Sequence, residues 1–170
     1  MKLKLETPTI AMKQQFIDYI KEWKQNNEKV VPSSSDPQEN TYEVWLEKTY
    51  AKSKKETCPP DLVPADMYFL LDDDKLIGMI QIRHSLNDYL FNFGGHIGYG
   101  VRPSERGKGH AKLMLKLALD KCKDLKMNKI LVTCDKDNPA SAKTILANGG
   151  ILENEVSEKD KIIQRYWINC

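Results

Sequence analysis

The spacing of apolar residues along the chain alternates between two periods, which separate predicted helices from predicted strands. Residues 7–25 repeat apolar positions at steps of four and three, which predicts a helix with one apolar face. The residues on that face are Met12, Phe16, Tyr19 and Trp23. Alternating or continuous apolar runs predict strands. They lie at residues 2–6, 67–71, 76–83, 97–101, 129–134, 151–156 and 162–168.

Three further helices are predicted from N-terminal signals followed by an apolar face. Asp36-Pro37-Gln38-Glu39 has the form of a capping box, so a second helix is expected with Asp36 as its N-cap and Pro37 in its first position. A third helix follows Gly109, and its apolar face carries Ala111, Leu115, Ala118, Cys122 and Leu125. The fourth has Asn138 as N-cap and Pro139 in its first position. The alternation of strands and helices predicts a mixed α/β fold.

The junction between the fourth predicted strand and the third helix carries the strongest chemical signal. Gly107 and Gly109 sit where the strand passes into the helix, and glycines let backbone N–H groups approach a ligand closely. Successive N–H groups at a helix N-terminus form an anion site that the helix dipole reinforces. Arg106, Lys108 and Lys112 supply positive charge. The segment therefore predicts a pyrophosphate-binding turn.

Two common phosphate-binding motifs do not match this segment, whereas a third does. The chain lacks the P-loop string, and Lys112 stands where a dinucleotide fingerprint needs its third glycine. Residues 106–111, Arg-Gly-Lys-Gly-His-Ala, match the pattern [Q/R]-x-x-G-x-[G/A] at every specified position. This pattern resembles the acetyl-CoA loop of the GNAT N-acetyltransferases. Asn138 and Ser141, about 30 residues further on, are similar to the second GNAT motif.

The resemblance implies a fold, a cosubstrate and a set of binding residues. We expect one GNAT-type α/β (α+β) domain over residues 1–170, with a mixed sheet of about seven strands, about four helices and a parallel strand pair around the CoA loop. The cosubstrate is expected to be acetyl-CoA, with no metal ion. The implied binding residues are Tyr99, Gly100, Val101, Arg106, Gly107, Lys108, Gly109, His110, Ala111, Lys112, Asn138 and Ser141.

The catalytic residues are less clear from the sequence. The resemblance implies direct attack of an amine on the thioester, and many family members place a tyrosine acid seven residues after the motif asparagine, where this chain has Ile145. His96 and Tyr99 are the candidate catalytic residues, and His84 is a further candidate base. Strand alternation puts His96 and Tyr99 on opposite faces, and the alternative role for His96 is that of a structural histidine. Without a clear base, we favour loss of the amine proton to water.

Composition narrows the partners without naming the acceptor. A net charge of +2 and the lack of a basic aromatic helix argue against nucleic acid, and no apolar run has membrane-spanning length. Four cysteines without metal-ligand spacing suggest a reducing, cytoplasmic setting. The Asp72–Asp74 triplet is expected to be a solvated hairpin turn.

We expect a small amine acceptor. The alternatives are a protein or peptide acceptor and a non-catalytic acyl-CoA-binding module. Segment 85–93 is expected to form a wall of the acceptor site, or instead to pack on the N-terminal helices or on a second subunit of a homodimer.

Overall fold

Seven strands and four α-helices are found within residues 2–170, the part of the chain that the computed structural model describes. The strands are β1 (Leu3–Glu6), β2 (Ala65–Asp72), β3 (Lys75–Arg83), β4 (Ile97–Val101), β5 (Lys129–Asp135), β6 (Ile151–Glu158) and β7 (Lys161–Asn169). The α-helices are α1 (Lys13–Gln25), α2 (Tyr42–Lys52), α3 (His110–Asp124) and α4 (Pro139–Ala147). A π-helical turn spans Leu90–Gly94. Every strand predicted from the apolar pattern is present, so those predictions are confirmed.

All seven strands belong to one sheet in the order β1-β2-β3-β4-β5-β7-β6. Only the β4–β5 pair is parallel, and α3 is the crossover between these two strands. The other five neighbouring pairs are antiparallel. The predicted mixed sheet with a parallel pair around the glycine turn is therefore confirmed.

Helices cover both faces of the sheet, which gives two separate apolar cores. On one face α1 and α2 pack an aromatic core in which Phe16 lies against Trp45 with ring centroids 4.5 Å apart. On the other face α3 packs through Met114, Leu115 and Ala118 against β3 and β4. The periodic apolar residues of the sequence are thus the residues that hold each helix to the sheet.

The predicted start of the second helix is wrong by five residues. The helix begins at Tyr42, and the Thr41 side chain accepts the capping bond from the Val44 N–H at 3.3 Å. The Asp36 carboxylate instead accepts from the Gln38 N–H at 2.8 Å, and Gln38 adopts a left-handed φ of 55°. An aspartate closing a tight turn uses the same side-chain oxygen as a helix cap, so the two signals look alike in sequence.

The glycines of β4 are explained by the segment that crosses the strand. The Val31 carbonyl lies so close that a Cβ on Gly100 would come within 2.2 Å of its oxygen. A Cβ on Gly98 would meet the Pro32 side chain at 3.0 Å. The chain between α1 and α2 therefore packs directly on the backbone of β4, and the strand has space for side chains only at alternate positions.

Candidate active site

A gap opens in the sheet between β4 and β5. The two strands share one registered pair, Ile97 with Val132, whereas β5 pairs with β7 along its whole length. The Arg102 N–H donates to the Ile77 carbonyl, so antiparallel alternation turns Gly98 and Gly100 toward β3. The N–H and C=O groups of Tyr99 therefore face the gap. An extended chain can pair with this free edge as an added strand.

The start of α3 lies at the open end of the gap and presents a run of unpaired donors. Among residues 2–170, no protein group accepts from the N–H groups of residues 107–112, since the first bond of the α3 ladder is Leu113 N–H to the Gly109 carbonyl. Gly107 and Gly109 have φ of 73° and 83°, and a Cβ on either would meet nothing within 4 Å. The glycines bend the backbone around open space, which fits a pyrophosphate.

The basic side chains of the turn do not all point toward this anion site. Glu105, only 8% exposed, accepts from Lys75, from Lys108 Nζ at 3.1 Å, and lies 3.3 Å from His110 Nε2. The hydrogen bonds from Lys75 and Lys108 lower the pKa of Glu105 to about 2. The side chains of Lys108 and His110, both predicted as binding residues, therefore fix the turn through Glu105, and their backbone N–H groups belong to the unpaired run at residues 107–112.

Two arginines attach the turn to α1 and to the segment that follows it. Arg106 forms an ion pair with Glu28 at 2.8 Å, and its Nε donates to the Val101 carbonyl at 3.0 Å. Arg102 pairs with Glu22 at 2.6 Å, and the Ser104 N–H donates to the same carboxylate at 2.6 Å. These bonds position the turn before any ligand binds. Lys112 has no ion-pair partner among the described residues and stays available for an anion.

The start of α4 faces the gap from the β5 side. The Asn138 side chain caps the helix by accepting from the Ser141 N–H at 3.1 Å, as the sequence predicts. The Ser141 hydroxyl lies 2.6 Å from the Tyr99 hydroxyl of β4. This pair links β4 to α4 across the gap. Burial raises the pKa of Tyr99 to about 12, so its phenol keeps its proton at neutral pH.

His96 and His84, the other candidate catalytic side chains, are engaged elsewhere. His96 Nδ1 accepts from the Leu131 N–H at 2.9 Å, which leaves the proton of the neutral ring on Nε2. Burial, with a smaller effect from Arg83, lowers the pKa of His96 to about 4. His84 lies 2.9 Å from Asp66 of β2, beyond β3 from the gap. The acceptor nitrogen of His96 is therefore already occupied, and the His84 ring is held away from the gap.

Segment 85–93 packs against β5 and β7 rather than on the N-terminal helices. The Thr133 hydroxyl donates to the Phe93 carbonyl at 2.7 Å, and Arg165 donates twice to the Phe91 carbonyl, at 2.9 and 3.2 Å. The Phe91 ring also contacts the Trp167 ring, with centroids 6.4 Å apart. The segment is therefore fixed beside the end of the gap where β4 and β5 meet.

Comparison with known proteins identifies the family. The model of the Acetyltransferase (GNAT) family matches residues 20–148, which include the gap, the glycine turn and the start of α4. The chain belongs to the GNAT family. Comparison with proteins of curated function finds no match.

Solved structures with the same fold include acetyltransferases of several substrates. One is the microcin self-immunity acetyltransferase MccE in complex with acetyl-CoA and AMP (TM-score 0.72, 17% identity, 99% of this chain and 93% of that chain covered). Another is the ribosomal-protein-S5-alanine acetyltransferase from Vibrio fischeri (TM-score 0.73, 17% identity, 99% and 93% covered). A third is a spermidine N-acetyltransferase chimera from Vibrio cholerae and hSSAT (TM-score 0.65, 17% identity, 99% and 96% covered). At this identity the likeness establishes the GNAT fold and leaves the acceptor open.

Sequence reasoning missed two charged residues of this GNAT protein. Glu105 organises the turn through Lys75, which lies 30 residues away, so no local pattern shows the contact. Arg83 ends β3 beside Gly98. The feature of the sequence that could have drawn attention to it is a charged residue at the end of an apolar strand. Within residues 2–170, no three His, Cys, Asp or Glu side chains cluster as metal ligands would, and no helix has the length and apolarity to cross a membrane.

Proposed function

We propose that this GNAT protein transfers the acetyl group of acetyl-CoA to the primary amine of a small molecule, by direct attack within a ternary complex. The observation that carries the proposal is the run of free N–H groups at residues 107–112, placed at the mouth of the β4–β5 gap. A ligand that joins a pyrophosphate to an extended, amide-bearing arm needs both a run of free N–H groups and an adjacent free strand edge. We extend the unit to residues 1–170, because all seven strands share one sheet.

The residues around the gap fit acetyl-CoA, which supplies the activated thioester. Backbone N–H groups of residues 107–112 hold the pyrophosphate, and Lys112 adds charge. The free edge of β4 at Tyr99 pairs with the amides of the pantetheine arm and directs it toward Ile97, where β4 and β5 meet. Asn138 and Ser141 line the opposite side from α4. The thioester then reaches the narrow end of the gap, beside segment 85–93.

The reaction forms a nitrogen–carbon bond and breaks the carbon–sulfur bond of the thioester. The amine must lose a proton, and the departing thiolate must gain one. Since His96 Nδ1 is occupied by the Leu131 N–H, the amine proton passes to water. Backbone N–H groups on the free edge of β4 stabilise the oxyanion that develops on the carbonyl. Positioning and carbonyl polarisation therefore account for most of the rate enhancement.

Tyr99 supplies the proton that the thiolate takes up. A pKa of about 12 keeps its phenol protonated at neutral pH, so it acts as a proton donor rather than a base, and water returns the proton to the phenolate once the CoA thiol has left. The Ser141 hydroxyl, 2.6 Å away, orients the phenol at the start of α4. Cys134, a nearby alternative, is buried, and burial raises the pKa of its thiol to about 11. Tyr99 thus replaces the acid that Ile145 cannot provide.

A small acceptor is favoured by the bonds that fix segment 85–93. Thr133 and Arg165 attach its carbonyls to β5 and β7, which narrows the approach to the thioester. A protein N-terminus is the rival acceptor, since GNAT proteins of this fold include a ribosomal-protein acetyltransferase as well as a spermidine acetyltransferase. A non-catalytic acyl-CoA-binding module is the second rival.

A screen of amines that follows release of the CoA thiol separates these functions. We expect turnover with small primary amines and much slower turnover with peptides of free N-terminus. Turnover confined to peptides would replace the small-molecule acceptor with a protein one. Acetyl-CoA binding measured by calorimetry, with no thiol release for any amine, would indicate the binding module.

A further inference from the structure

Arg83 differs from the other arginines of the chain in its partners. Arg102 pairs with Glu22, Arg106 with Glu28, and Arg165 with Glu153. Among residues 2–170, no carboxylate lies within ion-pair distance of the Arg83 guanidinium. A half-buried guanidinium without a counterion is costly, because the surrounding protein replaces its hydration only in part.

Half of the guanidinium is engaged and half is open. Arg83 Nη1 donates to the carbonyls of Gly94 and Gly95, at 3.1 and 3.0 Å, which fixes the group against the π-helical turn. Nε and Nη2 have no acceptor among the described residues, although arginine carries five N–H donors in a planar fork. The open edge is the edge that could bind an oxyanion through two parallel bonds.

The position of the open edge relates it to the acceptor. Nη2 lies 3.2 Å from where a Cβ on Gly98 would stand, on the sheet face that also carries Pro32. Gly98 is the first residue of β4 after the single β4–β5 pair, so the guanidinium lies at the narrow end of the gap. Tyr99 and its partner Ser141 lie on the α3–α4 face. An amine that approaches from the opposite face passes Arg83.

Within the described part of the chain, Arg83 is the unpaired cation beside segment 85–93, because Arg165, which donates to the Phe91 carbonyl, is paired with Glu153. His96 is neutral because burial lowers its pKa to about 4, and burial also lowers the pKa of the guanidinium itself. The pKa of Tyr89 is raised, first by its hydrogen bond to Glu158, so that phenol is also neutral. A single positive group with two free donors favours an acceptor with one anionic group and disfavours a polycation.

We propose that Arg83 binds an anionic oxygen group of the acceptor, a carboxylate or a phosphate, and so selects amines that carry one. This inference rests on the proposed acetyl transfer and narrows its substrate class. The amine and the anionic group must lie close together, since Arg83 and the narrow end of the gap are adjacent.

Matched acceptor pairs test the proposal. One pair is an amino acid and its carboxamide, and the other is an aminoalkyl phosphate and the corresponding amino alcohol. For each pair, the ratio of kcat/KM is measured in the parent, in Arg83→Gln, in Arg83→Lys and in the control Lys48→Gln, which removes an exposed charge on α2. Because each ratio is internal to one enzyme, a general loss of activity from misfolding cancels.

We expect the parent and Lys48→Gln to favour the anionic member of one pair, and Arg83→Gln to reduce that ratio by roughly 10–100-fold through KM. Arg83→Lys should retain part of the preference for the anionic acceptor, because it keeps the positive charge. The acceptor pair whose ratio falls in Arg83→Gln shows whether Arg83 binds a carboxylate or a phosphate. Equal ratios in parent and Arg83→Gln, with good turnover of neutral amines, would overturn this inference and leave acetyl transfer intact. Absence of thiol release with every amine would overturn both.

Discussion

His96 and Leu131, 35 residues apart in the chain, are joined by a hydrogen bond in which the Leu131 N–H donates to the imidazole Nδ1 at 2.9 Å. The His96 N–H in turn donates to the Leu131 carbonyl at 2.7 Å. The ring therefore extends the β4–β5 pairing by one residue, at the point where the two strands begin to separate. Its neutral form is required, since a protonated ring would direct a second N–H at the Leu131 N–H.

Burial of the His96 ring makes stability depend on pH in a defined window. Burial lowers the pKa of His96 from 6.5 to about 4, so between these values the unfolded chain binds a proton that the folded chain does not. The contribution to the free energy of unfolding is complete above pH 6.5 and falls by about 3 kcal/mol toward pH 4. In His96→Asn an amide oxygen replaces Nδ1 without titrating, so urea unfolding should show a flatter profile. If stability fell with pH equally in the parent and in His96→Asn, the pH dependence would not come from His96.

Turnover should be nearly insensitive to the same substitution. With Nδ1 occupied, His96 does not accept the amine proton, so His96→Asn should keep kcat within a few-fold of the parent. The rate should still rise with pH, following the titration of the amine. A loss of roughly 10²–10⁴-fold, with acetyl-CoA affinity unchanged, is what a general base would give and would contradict the water route.

Removal of the Tyr99 hydroxyl should affect chemistry more than binding. Tyr99→Phe is expected to lower kcat by roughly 10²-fold, because the thiolate would leave without a proton donor. The acetyl-CoA dissociation constant, measured by calorimetry, should stay within a few-fold, since the strand edge and the glycine turn are unchanged. With a pKa of about 12, Tyr99 should cause no fall in the parent rate below pH 10. Parent-like kcat in Tyr99→Phe would assign the proton to another donor.

The two side-chain caps of α2 and α4 allow a comparison of structure with function. Asn138→Ala and Thr41→Ala each remove a cap, and each should lower the free energy of unfolding by about 1 kcal/mol. Only Asn138 borders the gap, so only Asn138→Ala should also lower the affinity for acetyl-CoA. Equal affinities in the two variants would restrict Asn138 to a structural role.

The local features of the fold were accessible from the sequence. Strands, the hairpin at Asp73 and Asp74, and the cap at Asn138 depend on neighbouring residues, and each was predicted. Asp36 was wrongly predicted as a helix cap because an aspartate makes the same side-chain bond in a tight turn and at a helix start. The left-handed φ of Gln38, which distinguishes the turn, is not visible in the sequence.

Long-range contacts could not be predicted in this way. Glu105 contacts Lys75, 30 residues away, and His96 Nδ1 accepts from the Leu131 N–H, 35 residues away. Neither partner is adjacent in sequence, and nothing in the pattern of apolar residues sets the pairing. The lack of a counterion for Arg83 is a property of the whole fold, so only the three-dimensional arrangement shows it.

Acetyl-CoA calorimetry on two glycine variants tests the central claim most directly. Gly109 and Gly149 both have left-handed φ, 83° and 87°, and a Cβ on either meets nothing within 4 Å. Glutamate at either position costs similar backbone strain, but only at 109 does the side chain enter the anion site. We predict a loss of affinity of at least roughly 100-fold in Gly109→Glu and parent-like affinity in Gly149→Glu. Unchanged affinity in Gly109→Glu would contradict the account.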